Sequence, residues 1–121
     1  MGVLRIFAIL FGLIFIAAGV VGLMPMFIKE GNLFGIFLVD DLHNIFHIVT
    51  GVIALLAAAN SRVSKVFFIL FGLIYVAVTV LGFMGKEDML MMHFNMADNV
   101  LHLVIAVIFL FLGLFIKALP A

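Results

Sequence analysis

Long apolar stretches, separated by short polar clusters, occupy most of the chain. Four can be delimited: about Val3–Met24, Leu42–Ala59, Val63–Met84 and Met96–Ile116. Each is close to the roughly 20 residues that a helix needs to cross about 30 Å of hydrocarbon. In lipid the backbone must satisfy its own hydrogen bonds, so each run is expected to be α-helical. Four helices buried inside a soluble domain are the plain alternative. It fails because the chain is 69% hydrophobic and only 10% charged, too little polar surface to enclose them.

The connections differ in kind. Pro25 to Val39 is long and apolar enough to lie in the membrane interface. Asn60-Ser61-Arg62 is short, so spans two and three form a tight antiparallel pair. Gly85-Lys86-Glu87-Asp88 opens a second longer loop that carries Met89, Met91, Met92 and His93. Arg5, Arg62, Lys65 and Lys117 fall on one side and Lys29 and Lys86 on the other. The basic excess marks the cytoplasmic side, which predicts both termini in the cytoplasm of a bacterial inner membrane. Arg5 ahead of an apolar run has the look of a secretory leader, but the length of the run and its recurrence in mid-chain argue for a retained helix.

That recurrence is specific. Arg5–Pro25 laid over Lys65–Gly85 gives eleven identities in twenty-one positions, among them an unbroken Ile-Leu-Phe-Gly-Leu-Ile. The second helices align at an offset of 55, with Asn44 on Asn99 and His47 on His102. The expectation is an all-α, four-transmembrane-helix bundle of two parallel helical-hairpin repeats. It forms a single domain over residues 1–121, with repeats at about 3–60 and 63–117, related by an axis along the membrane normal.

The polar residues fall on one face of each second helix. Asp40, His43, Asn44 and His47 lead into Gly51, Ala54 and Ala58; Asn95, Asp98, Asn99 and His102 lead into Ala106 and Gly113. Small residues allow close helix approach and polar ones bond across a seam, so spans two and four are expected to meet at the axis. Spans one and three carry a small stripe of their own, Gly12 and Gly19 matched by Gly72 and Thr79. His43 aligns with Asp98, which predicts a hydrogen-bonded or ionic pair between them.

Two hairpins with an Arg-led, Phe-Gly-bearing first span, then Asn44-Ile45-Phe46-His47 and Asp98-Asn99-Val100-Leu101-His102, resemble a bacterial membrane family, the domain-of-unknown-function family numbered 4383. The resemblance covers nearly the whole chain. It implies a four-helix integral membrane protein and brings no activity, cofactor or partner.

For function, composition mainly excludes. Six basic residues balance six acidic ones, giving no sign of a nucleic-acid partner. Without cysteine there is no thiolate metal site, iron–sulfur cluster or cysteine nucleophile. Ser61 and Ser64 lie at the turn, far from every His. The preferred reading of the polar cluster is hydrogen-bonding glue in a non-catalytic structural or accessory component, needing no cofactor. Its partners would be the lipid bilayer and larger membrane-protein subunits or copies of itself. The alternative is a ligand site. His43 and His47, one turn apart, would grip a divalent metal with His102 and Asp98, or His47 and His102 would ligate haem or a pigment. A third reading, a proton or small-solute pathway, requires oligomerisation, because the inner halves of the spans hold little polarity beyond Thr50 and Thr79. Met89, Met91, Met92 and His93 are read as an apolar cap, with copper(I) binding as the alternative.

Overall fold

The structure, a computed structural model, describes residues 1–120. Four helices account for most of them: α1 Val3–Gly22, α2 Asp41–Ala57, α3 Ser61–Phe83 and α4 Met96–Phe115. Each lies within a few residues of its expected run. α1, α3 and α4 are long and apolar enough to cross a membrane. α2 has 17 residues, about 26 Å at 1.5 Å per residue. It returns antiparallel alongside α1: Asn44 bonds Gly22 at one end, and Ala58 accepts from Arg5 at the other.

α2, α3 and α4 each begin where a side chain satisfies a free amide. Asp40 accepts from the His43 amide at 2.8 Å, and Asn60 accepts from the Val63 amide at 2.9 Å. At α4, Asn95 and Asp98 exchange side chain-to-backbone bonds in a reciprocal capping box. Gly85, at φ 69°, closes α3 through a bond from the Lys86 amide to the Leu81 carbonyl. The basic residues near the termini have a parallel use. Arg5 donates to the Ala58 carbonyl and Lys65 to the Ile116 carbonyl, each at 2.7 Å, at the ends of α2 and α4.

One part of the expected all-α architecture differs. The first long loop folds into a small antiparallel sheet of β1 Ile28–Lys29, β2 Asn32–Leu33 and β3 Phe37–Leu38. Lys29 pairs with Asn32, leaving Glu30 and Gly31 as a two-residue turn with positive φ at both positions, the geometry that suits a twisted hairpin. A loop this apolar has to pair its own amides, and short strands do so.

The close backbone approaches lie within each hairpin. A Cβ on Gly51 would stand 2.6 Å from the Gly12 carbonyl oxygen, and one on Gly113 would stand 2.8 Å from the Ile69 amide nitrogen. The small stripes therefore bring α1 onto α2 and α3 onto α4. The expected close approach of α2 to α4 is not made by backbone. Large rings fill the centre instead: Phe109 packs on Phe68 and Phe11 with centroids 5.1 Å apart in both cases, and Phe15 lies 5.7 Å from Tyr75. Glycines mark where helices touch without naming the partner. The antiparallel neighbour across each hairpin has the longer contact and takes them.

Candidate functional site

At the outer end of this aromatic core, α2 supplies His43 and His47 and α4 supplies His102. Their spacing explains the meeting: residues four apart stack on one helical face, and that face looks across the bundle. The ring centroids of His43 and His47 are 4.4 Å apart, those of His43 and His102 5.5 Å, and those of His47 and His102 6.3 Å. One ring nitrogen from each lies within 4.8 Å of those of the other two. α2 and α4 thus meet through imidazoles.

The three rings are enclosed. His43 and His102 are each 2% exposed and His47 8%. Phe94 lies 5.0 Å from His43 and 4.8 Å from His102, Phe15 lies 5.5 Å from His47, and Tyr75 lies 5.7 Å from His102. Both ring nitrogens of His43 and Nδ1 of His102 lack a hydrogen-bond partner. The Leu38 backbone stands beside His43 without closing a bond to it. Leaving a buried polar group unpaired costs about 1–3 kcal/mol, so such a cluster in a folded protein calls for an explanation.

The other polar residues have different employment. Asn44 Nδ2 donates to the Gly22 carbonyl at 2.9 Å, locking α2 to α1. A methyl group on Gly22 would collide with Asn44 Oδ1, and one on Gly82 with Asn99 Oδ1. Both asparagines are therefore seated against a glycine of the preceding helix, and Asn44 also bonds across its hairpin. Gly22→Ala is expected to destabilise the protein by about 1–3 kcal/mol, measured by SDS-induced unfolding in detergent. Ile14→Ala, on the outer face of α1, serves as the reference.

Asp98 departs from expectation. It does not bond His43. Its Oδ2 accepts from the Asn95 amide at 2.9 Å, and its own amide donates to Asn95 Oδ1. An Asn-x-x-Asp at a helix start is a capping pattern, and that local demand took the carboxylate. Asp98 is buried on the wall of the cavity beside the triad. It is not among the residues whose ligand atoms converge.

Asp40 and Asn95 tie the two halves together. Asp40 Oδ2 accepts from the His93 amide at 3.2 Å, and Asn95 Nδ2 donates to the Ile36 carbonyl at 2.8 Å. The Met-rich loop does not converge on a ligand: Met92 is buried with Val78 and Phe94, while Met89 and Met91 face outward.

Sequence reasoning missed the aromatic enclosure by Phe15, Tyr75 and Phe94. It also missed a cavity of about 350 Å³ beside the triad, walled partly by Ala17, Ala18 and Leu101. The adjacent alanines in an otherwise bulky helix were the available signal.

Comparison with known proteins gives one match. The sequence model of the domain of unknown function (DUF4383) matches residues 5–115. No curated protein and no solved structure matches the chain.

Proposed function

The chain belongs to the DUF4383 family, and on that premise we propose that it is a small integral membrane protein that binds one first-row transition-metal ion through His43, His47 and His102. The observation that carries this reading is the convergence of three buried imidazoles, two of which have unpaired ring nitrogens. Neutral imidazole suits zinc, copper, iron and nickel. Tetrahedral zinc with nitrogen at about 2.0–2.1 Å sets its ligands about 3.4 Å apart, so the rings need to draw in by about 1 Å. Three protein ligands leave a fourth position open, the arrangement of catalytic rather than structural zinc. The rings of Phe94, Phe15 and Tyr75 against the triad favour an ion over a haem or pigment, which would need a flat slot between the imidazoles.

The test is elemental analysis of protein purified in mild detergent, followed by Zn²⁺ titration of chelator-treated protein. Binding of about one ion per chain supports the site. Because ligation requires unprotonated imidazole, bound metal should fall as the pH is lowered from 7.5 toward 5.5. Metal-free protein that takes up none on titration would overturn the reading.

A structural or accessory role is the second reading. Asn44 and Asn99 favour it, since each is wedged against a glycine within its hairpin. The recurrence of that wedge at offsets of 60 and 55 also supports a duplicated hairpin. Arg5, Ser61, Lys65 and the C-terminal segment gather at one end of the bundle; the basic excess there supports a cytoplasmic location for both termini.

A further inference from the structure

We propose that the crevice between α1 and α4 binds one lipid-soluble molecule: a single apolar chain with a neutral carbonyl- or hydroxyl-bearing head, the head lying against the histidine cluster. The cavity beside the triad, about 350 Å³, lies between Ala17 and Ala18 of α1 and Leu101 of α4. A second cavity of about 260 Å³ shares Ala18, His47 and Leu101 with it and continues down the same two helices to Ile108. From Asp98 to Ile108 the crevice follows α4 for about 15 Å at 1.5 Å per residue. The opposite flank, between α2 and α3, is filled: Phe46, Ile74 and Val78 pack there with Met92 and Phe94. One side of the bundle is plugged by side chains and the other is left open by small ones.

The nature of the occupant follows from the walls. Ile14, Leu101 and Val104 line the crevice and are exposed on the outer surface of the bundle, so entry is sideways from the bilayer. Below the imidazoles the walls are hydrocarbon, which suits a chain. At the outer end the triad and the buried Asp98 share the wall with Leu33, Phe34, Phe37 and Val39 of the first long loop. The carboxylate opposes an anionic head, whether phosphate or fatty acid. His43 is part of the cavity wall, and its two unpaired nitrogens, enclosed as the rings now stand, would supply a donor and an acceptor to a neutral oxygen group once the ring turns toward the cavity. A metal ion would occupy one of the two nitrogens and leave the other, so the crevice does not depend on the ion.

The experiment is native mass spectrometry of the detergent-purified protein with three probes: decylubiquinone, 1-monooleoylglycerol and oleate. A 1:1 complex with one of the neutral probes, tighter than that with oleate, supports the proposal, and the probe retained tells a quinone source from a glyceride source. Ala18→Phe, which fills the crevice, should lose about tenfold or more in affinity. Leu73→Phe, on the exposed face of α3, should bind as the parent does. Leu101→Trp serves as a second plug if Ala18→Phe does not fold. Failure of both neutral probes to bind, equal binding by folded plugged variants, or tighter binding of oleate would overturn the proposal. Metal content is read on the same samples: chain binding by metal-free protein leaves the crevice standing and removes the ion, and metal without chain binding does the reverse.

Discussion

Replacing His47 by alanine is expected to abolish metal binding while leaving the bundle folded. His47 supplies one of the three converging imidazoles: its ring is 4.4 Å from His43 and 6.3 Å from His102, and Phe15 packs on it. Removing it leaves two imidazoles, too few to hold an ion tightly inside an apolar surround. The variant also loses a ring that packs on Phe15, so it is compared with the metal-free parent to take that packing loss out of the reading. The ion-dependent part is the diagnostic. At a free ion concentration one hundred times Kd, the parent should gain about 2.7 kcal/mol of stability from binding. His47→Ala should gain none. Thermal unfolding in detergent with and without Zn²⁺ measures both. An equal gain in the variant would place the ion elsewhere.

The second large effect concerns the scaffold. Gly51→Val is expected to cost about 3 kcal/mol or more, and to unfold much of the protein in detergent. A Cβ there meets the Gly12 carbonyl at 2.6 Å and the Ile16 amide nitrogen at 2.8 Å. Both are backbone atoms of α1, so no side chain can swing aside. The helices must separate, which also pulls Asn44 from Gly22 and carries His43 and His47 away from His102. Gly113→Val should act similarly on the other hairpin, where the obstruction is the Ile69 backbone nitrogen at 2.8 Å. Val52→Leu, one position away on the exposed face of α2, should change stability by less than about 0.5 kcal/mol. Circular dichroism and SDS titration separate these outcomes; a Gly51→Val protein as stable as the parent would mean that α1 and α2 do not pack as described.

Much of the fold was legible because its cause is local. Continuous apolar runs of membrane length forced helices, and Asn60-Ser61-Arg62 forced a tight turn. The meeting of His43, His47 and His102 was also legible, since helical periodicity places all three on the faces that carry the asparagines. The fate of Asp98 was harder to read. Opposite charge suggested His43, yet the amide of Asn95, three residues before it, was nearer and needed an acceptor. The glycine stripes were read as an α2–α4 seam because they share a face with the polar residues. On a helix with two neighbours a small residue serves whichever neighbour runs alongside for longer, and here that is the hairpin partner. The sheet at Ile28–Leu38 had its signals in Gly31 and Gly35, but the surrounding residues are too apolar to look like turns. The crevice left only the adjacent Ala17 and Ala18 as a signal. It depends on Ala18 and Leu101 leaving one flank open while Val78, Phe46 and Met92 fill the other, which only three-dimensional packing reveals.

The most direct measurement is X-ray absorption at the zinc edge on protein loaded with one equivalent of Zn²⁺. A first shell of nitrogen at about 2.0–2.1 Å with the outer-shell scattering of three imidazoles, reduced on His102→Ala, is the predicted result. An oxygen-only shell, or a spectrum indifferent to His43, His47 and His102, would contradict it.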